Sequence, residues 1–333
     1  MGLKIEALDP TDFAEFREFY SVYARANQDS VNPDGSKESP LYMPWLAEEL
    51  EIAFLSDEYA RFDPIFVRRE QDIVAVAFAE LPQRDNLDTA YLEVWVPPEL
   101  RRQGLGSALL ARLEMRCGED GRTRFMSETV RPLNEDSSAG VQFLYEQGFG
   151  FDTSLAQSQL TLPCQLTESG LDRGFRLESW RGLPPNRWID RYAQLRAALN
   201  SEAPSGEVQL NDEYWDASRL KHEHDQWKRQ KRIAQTVVAI DAEENLVGHT
   251  QLVFSSLSPI VHQWDTLVVP AARGNGLGLA LKREAMRAAA DLCAGKRLIV
   301  TWNHAKNTHI LAINERLGYR QTAWVDQFFK VLG

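Results

Sequence analysis

Two short runs carry the clearest chemistry in this chain: Arg101-Arg102-Gln103-Gly104-Leu105-Gly106 and Arg273-Gly274-Asn275-Gly276-Leu277-Gly278. Each follows a β-branched stretch ending in Val-x-Pro, and each opens a segment of helical periodicity. Such a turn aims several free backbone amides at one point. The helix N-terminus adds partial positive charge, and the two together suit a phosphate or pyrophosphate. Glycine fits where a side chain would block that approach. The leading arginine offers a charge-assisted bond or a helix-start contact. A dinucleotide fingerprint is excluded by spacing, since it needs Gly-x-Gly-x-x-Gly after a first strand and an acid about twenty residues on. A Walker loop would need Gly-Lys-Ser/Thr, which the sequence lacks. The plain alternative is a strand–helix turn without a ligand, and two copies in equivalent places weigh against it.

The elements that position these turns repeat as well. Ile5-Glu6 and Leu177-Glu178 stand 172 positions apart, and so do Glu93 and Asp265, Arg101 and Arg273, and Gly104 and Gly276. Gly148-Phe149 and Gly318-Tyr319 match at 170. A period this long describes a duplicated domain rather than a solenoid unit. We therefore expect an α/β fold with two domains, 1–163 and 172–333, each a mixed sheet flanked by helices. In the first half, a strand at 4–8 leads into helical segments between 11 and 55, then strands at 64–69, 73–81 and 90–96. A helix over 103–117, where Leu105, Leu109, Leu110 and Leu113 recur at helical spacing, precedes a strand at 123–129 and a helix over 137–147. The second half repeats this order. Its strands fall at 175–180, 234–240, 246–254, 264–269 and 297–302, with closing strands to 331. Its helices cover 188–199, 212–232, 275–293 and 307–317.

At 333 residues the chain exceeds one ordinary core and suits two domains of roughly 150 to 170 residues. No run of 18 apolar residues suggests a membrane span. The first residues lack the basic flank and apolar core of a secretion signal, so a cytoplasmic protein is expected. Cys117, Cys164 and Cys293 are too widely spaced for a disulfide framework or a thiolate zinc site, and no metal is expected. A net charge of −11 argues against nucleic acid as the main partner and suits a cationic substrate.

The Val-x-Pro strand followed by Arg-x-x-Gly-x-Gly resembles motif A of the GNAT acetyltransferase superfamily, once per half and over nearly the whole chain. In the second half Asn303, then Asn307, Ile310, Asn314 and Gly318-Tyr319, resemble the superfamily's later signature. Asn200–Gly206, Gln263–Val268 and this asparagine series also resemble tandem GNAT proteins of high-GC Gram-positive bacteria, and mycothiol synthases more distantly. The resemblance implies two tandem acyl-CoA N-acyltransferase domains that use acetyl-CoA. The turn amides would hold the CoA pyrophosphate: Arg101, Arg102, Gln103, Gly104, Leu105 and Gly106 in one half, Arg273, Gly274, Asn275, Gly276, Leu277 and Gly278 in the other. The preceding strand would splay from its neighbour and pair with the pantetheine arm. That arm would lie beside Val94, Trp95 and Val96, or beside Thr266, Leu267, Val268 and Val269. Asn303 and Asn307 would form a second CoA-contacting segment. Asn314 takes the place where many relatives carry the tyrosine that protonates the departing thiolate. In the first half Ser137 takes the asparagine place and Leu144 the tyrosine place, with Tyr145 turned about 100° away. The second half therefore reads as the catalyst, and the first as either CoA-binding or structural.

Acetyl transfer to an amine needs the neutral amine, and a primary alkylamine has a pKa near roughly 10. A carboxylate, directly or through water, can take the proton. Asp265, inside an apolar strand, is the candidate base, with Glu93 in the equivalent place of the first half. The alternative for either is a strand-end carboxylate facing solvent or an internal arginine. His262 is a second candidate base, against a plain loop histidine, while His304 and His309 are expected on the surface of the CoA segment. Tyr319 and Tyr214 are candidate acids, against a core role. The amide of Val268 or a neighbour would polarise the acetyl carbonyl. Asn200, Glu202 and Gly206, in a loop between the first two helices of the second half, would meet the acceptor, although Pro and Gly also mark an ordinary turn. The mixed charges of 221–232 describe a solvated helix rather than a nucleic-acid patch. The expected partner is a small-molecule amine, with neither nucleic acid nor membrane. The alternatives are acylation of a protein amine, or CoA binding without turnover.

Overall fold

The computed structural model describes residues 3–27, 43–165, 174–202, 206, 208 and 210–332. The chain forms two compact units that interleave along the sequence. Residues 1–155, 206–211 and 323–333 make the first, and 156–205 and 212–322 the second.

In the first unit, β1 (Lys4–Ala7), β2 (Ala60–Arg69), β3 (Asp72–Pro82) and β4 (Thr89–Trp95) pair antiparallel in succession. β5 (Arg124–Pro132) runs parallel to β4, and the chain's last strand, β12 (Arg320–Val331), lies antiparallel beside β5. Helix α1 (Phe13–Ala26) starts at Asp12, whose carboxylate accepts from the Ala14 and Glu15 amides. Its buried Phe16, Phe19 and Tyr23 pack with Phe54 of α2 (Ala47–Phe54) on Phe66 and Phe78, covering one face of the sheet. The other face is covered by α3 (Leu105–Glu119) and α4 (Ala139–Glu146), through Leu109, Leu113 and Leu144 against Ile65, Phe125 and Phe328.

The β5–β12 pair is held by a buried fork. Arg131 donates to both carboxylate oxygens of Asp326, at 2.6 and 3.1 Å, and Ser154 adds a hydroxyl at 2.6 Å. Asp326→Ala leaves the guanidinium without its partner. It should cost about 3 kcal/mol of stability in chemical denaturation, and a loss under about 1 kcal/mol would show that the pair is solvated.

The second unit repeats the plan. Its strands lie in the order β6 (Gly150–Thr161), β11 (Leu298–His304), β10 (Ile260–Val268), β9 (Leu246–Ser255), β8 (Arg232–Ile240) and β7 (Arg176–Arg181). Tyr192 of α5 (Ile189–Glu202) and Leu220 of α6 (Ala217–Arg229) pack on one face with Trp180 and Trp188. Leu281 and Ala285 of α7 (Leu277–Ala288) and Ile310 and Ile313 of α8 (Thr308–Arg316) pack on the other. A Cβ on Gly278 would come within 2.9 Å of Ile313, so α7 approaches α8 closely at that point.

The repeat boundary at 163/172 and the unit boundary differ because β12 lies beside β5 and β6 beside β11. β6 also escapes the periodicity reading. Its Gln157, Ser158 and Gln159 are buried, so no apolar alternation marks the strand. The expected loop at 200–206 begins later, since α5 continues through Glu202. Among the described residues, no helix is long and apolar enough to cross a membrane.

Candidate active site

In each unit the parallel pair at the centre of the sheet opens. β4 and β5 are in register only over Thr89–Tyr91 with Arg124–Met126, and β10 and β11 only over Ile260–His262 with Leu298–Val300. Beyond those pairs β4 and β10 leave their parallel neighbours and run to the turn paired only with β3 and β9. Gly104 and Gly276 cap the following helices with φ of +79° and +70°, where an L side chain is strained. A Cβ on either would meet no heavy atom within 4 Å, so the turn opens outward. The position two before is also left-handed, as Gly274 in one copy and as Arg102, at φ +61°, in the other. Alternating backbone hands of this kind gather amides into an anion-binding nest. The leading arginines serve the fold: Arg101 Nε donates to the Val96 carbonyl at 3.0 Å and Arg273 Nε to Val268 at 3.1 Å, tying strand end to turn. Arg102 and Gln103, like Gly274 and Asn275, are exposed on the turn's rim, while Leu105 and Leu277 are buried anchors.

A cleft of about 560 Å³ occupies the splay of the first unit. Its walls are Glu93–Trp95 of β4 with Val96 after it, Ser127–Val130 of β5, Arg101, Arg102 and Gly104–Gly106 of the turn, and α4 with Phe143 and Leu144. It lies in the half whose later signature is eroded. Leu144 lines it, whereas Tyr145 is 54% exposed and rests edge-on against Phe328. Ser138, one residue on from the Ser137 read from the sequence, caps α4 by accepting from the Val141 amide. Glu93 receives the Trp95 indole N–H at 2.9 Å. Glu128 touches solvent across the cleft, yet the surrounding protein holds its carboxyl above the usual range. Glu80, on β3 opposite Tyr91, is pushed up to about 7 by burial and then by Asp57. Nothing in its apolar strand marks it out in sequence.

In the second unit β10 bulges. Gln263 pairs with Leu252 and Thr266 with Thr250, so Trp264 and Asp265 together oppose Gln251. The bulge sets Asp265 Oδ2 3.3 Å from Nε of buried Arg196 on α5. Arg196 grips Glu223 of α6 with both terminal nitrogens at 3.2 Å, reaches Gln251 at 3.3 Å and lies 4.1 Å over the Trp215 ring. Burial raises the Asp265 pKa and Arg196 pulls it back, with the net shift upward. The internal arginine, the expected alternative to a base role for Asp265, is therefore present as its ion-pair partner. β4 has no such irregularity at Glu93, which pairs in register with Phe78. Val269 N–H bonds the Val247 carbonyl, so by strand alternation the Val268 amide faces the splay. Leu267 is buried against α5, with Val268 and Val269 half-buried.

Asn303 lies on β11 past its last pair with β10, and its Oδ1 accepts from Asn314 Nδ2 at 2.7 Å. Asn307 caps α8 through the Ile310 amide. His262 packs against Trp302 and Trp264, and burial pushes it down to about 4. His304 is buried, contrary to the surface placement expected, and accepts from the Lys306 amide in the turn after β11. His309 is exposed, Tyr214 is 71% exposed, and Tyr319 is core. Asn200 and Glu202 fall in the last turn of α5 with side chains outside the described residues, as are residues 203–205. Gly206 lies with the first unit.

Arg196, Glu223 and Lys282 were not signalled in sequence, because charged residues on amphipathic helices ordinarily face water. Burial pushes the Lys282 ammonium down to about 7, from an ordinary 10.5. The unfolded chain then binds a proton that the folded chain sheds, so stability should rise with pH from about 7 toward 10. Lys282→Met should flatten that rise in urea titrations across the window; an unchanged slope would place the titration elsewhere.

The sequence model of the acetyltransferase (GNAT) family matches residues 19–151 and again 195–319. No curated protein matches the sequence. Among solved structures, the chain superposes on a tandem GNAT protein from the clavulanic acid biosynthesis pathway, solved without acetyl-CoA, with a TM-score of 0.82 and 19% identity. That alignment covers 100% of this chain and 99% of the other. A GCN5-related N-acetyltransferase from Sphaerobacter thermophilus aligns with a TM-score of 0.70 and 15% identity, over 99% and 95% of the two chains. An acetyltransferase fold from Pyrococcus horikoshii aligns at 0.59 and 13%, over 100% and 90%.

Proposed function

This chain belongs to the acetyltransferase (GNAT) family, and on that premise we propose that it transfers an acetyl group from acetyl-CoA to a primary amine of a small molecule, in the second unit. Acetyl-CoA would supply the acyl group activated as a thioester. The residues present fit it twice: an outward-opening nest of amides at Gly104 or Gly276 stands at the end of a strand that has left its parallel neighbour. The observation that supports the catalytic assignment is the β10 bulge, which carries Asp265 past the last pair of β10 with β11, with Arg196 Nε 3.3 Å from its Oδ2.

In this reading Asp265 takes the proton of the acceptor's ammonium at Oδ1, directly or through a water. Arg196 holds the carboxylate in place, and Glu223 keeps Arg196 there. The Val268 amide donates to the oxygen on which charge develops. The nitrogen forms the new bond to the acyl carbon as the bond to sulfur breaks, Asn303 would donate a hydrogen bond to the departing thiolate, and the proton that the nitrogen then sheds passes to the sulfur. The net charge of −11 favours the encounter with a cationic acceptor.

A second reading places transfer in the first unit, favoured by its cleft and by Glu93 and Glu128 in its walls. Thiol release from acetyl-CoA across a panel of primary amines, with Asp265→Asn and Glu93→Gln compared, separates the two. Labelled acetyl groups should enter small molecules of a cell extract; label confined to proteins would overturn the small-molecule acceptor.

A further inference from the structure

Lys282 of α7 has none of its surface exposed, and among the described residues no carboxylate pairs with it. Its Nζ meets Asn314 Oδ1 at 2.7 Å and lies 5.5 Å over the Tyr319 ring. An amine kept there costs more than a methionine of similar volume would, so packing alone gives no reason for it. Its effect is to fix an amide. Lys282 donates to Asn314 Oδ1 as ammonium or amine, and this orientation of the Asn314 amide is the one that also lets its Nδ2 donate to Asn303. Asn314 Nδ2 then donates to Asn303 Oδ1 at 2.7 Å, and the protons on Asn303 Nδ2 remain for whatever enters the splay. The three residues come from α7, α8 and β11, so the chain of bonds crosses from the helical layer to the opened strand.

We propose that Lys282 is a positioning residue of the second unit's thioester site, locking Asn314 and through it Asn303, so that Asn303 presents amide protons where a hydroxyl acid would otherwise stand. The inference rests on the proposed acyl-CoA site of that unit. Asn314 cannot itself give a proton to a departing thiolate, and an oriented carboxamide on Asn303 supplies a hydrogen-bond donor in its stead.

The test uses the full chain carrying Gly104→Glu, which silences the first turn. It is titrated calorimetrically with acetyl-CoA and, separately, with ADP 3′-phosphate, the CoA head without its pantetheine arm. Lys282→Met frees Asn314, and its apolar replacement keeps the core folded. Asn314→Asp keeps and strengthens the contact to Lys282 but has no proton for Asn303, which then flips. Both should weaken acetyl-CoA binding about tenfold while the head binds within about twofold of the parent. Equal acetyl-CoA affinity in all three chains overturns the proposal, and so does a parallel loss for both ligands, which would mark a structural role only. If the Gly104→Glu parent binds neither ligand, the second unit's acyl-CoA site itself fails and this proposal falls with it.

Discussion

Asp265→Asn is expected to lower acetyl transfer by about 100-fold or more while acetyl-CoA affinity stays nearly unchanged. The substitution keeps shape and removes the lone pair that takes the proton. The carboxylate is suited to the task. Its site pushes the pKa up from the ordinary aspartate value, which makes it a better base than a solvated one, and Arg196 at 3.3 Å keeps it from being neutralised outright. Activity should fall as pH drops through that raised pKa, and a lower-pH limb missing from the variant's residual activity would tie the limb to this group. Weakened cofactor binding with normal turnover would remove Asp265 from the chemistry and leave it a structural partner of Arg196.

The second large effect is on Arg196. Its side chain is 4% exposed and answers two carboxylates, Asp265 and Glu223, from beneath the Trp215 ring. Arg196→Met leaves two partly buried acids near one another without the cation between them. We expect a loss of about 3–5 kcal/mol in chemical denaturation, with part of it recovered at low pH, where the acids are protonated and the repulsion is gone. Arg196→Met combined with Glu223→Gln should recover stability but not activity, since Asp265 would still lack its orienting partner. If the single variant is as stable as the parent at neutral pH, water reaches the cluster and the site is more open than its burial indicates.

The turns were legible because a left-handed φ at Gly104 and Gly276 can hardly be met by another residue, so the need is written in the residue type. At the other left-handed position that rule shows in only one copy, as Gly274, because the exposed Arg102 bears the strain in the first. The duplication was legible for the same reason, since its landmarks are turn residues. The neighbours of β6 and β12 were not: each is continuous with its own half in sequence, and only pairing shows β12 beside β5 and β6 beside β11. Asp265 was legible as an acid out of place in an apolar strand, but its arginine stands on α5, where sequence spacing says nothing of contact. Lys282 reads as a solvated helix position and is instead the most buried cation of the second unit among the described residues. The cleft accords with the CoA-binding alternative for the first half, despite the erosion of its later motif. The first unit keeps open walls because its turn and splay persist, whatever has happened to its later asparagine and tyrosine places.

Calorimetric titration of the wild type, Gly104→Glu and Gly276→Glu with acetyl-CoA tests most directly the claim that both turns cradle an acyl-CoA. A carboxylate placed in a phosphate nest should abolish that site alone. The account predicts two equivalents for the wild type and one for each variant. Binding that survives unchanged in both variants, or no binding to the wild type, would contradict it.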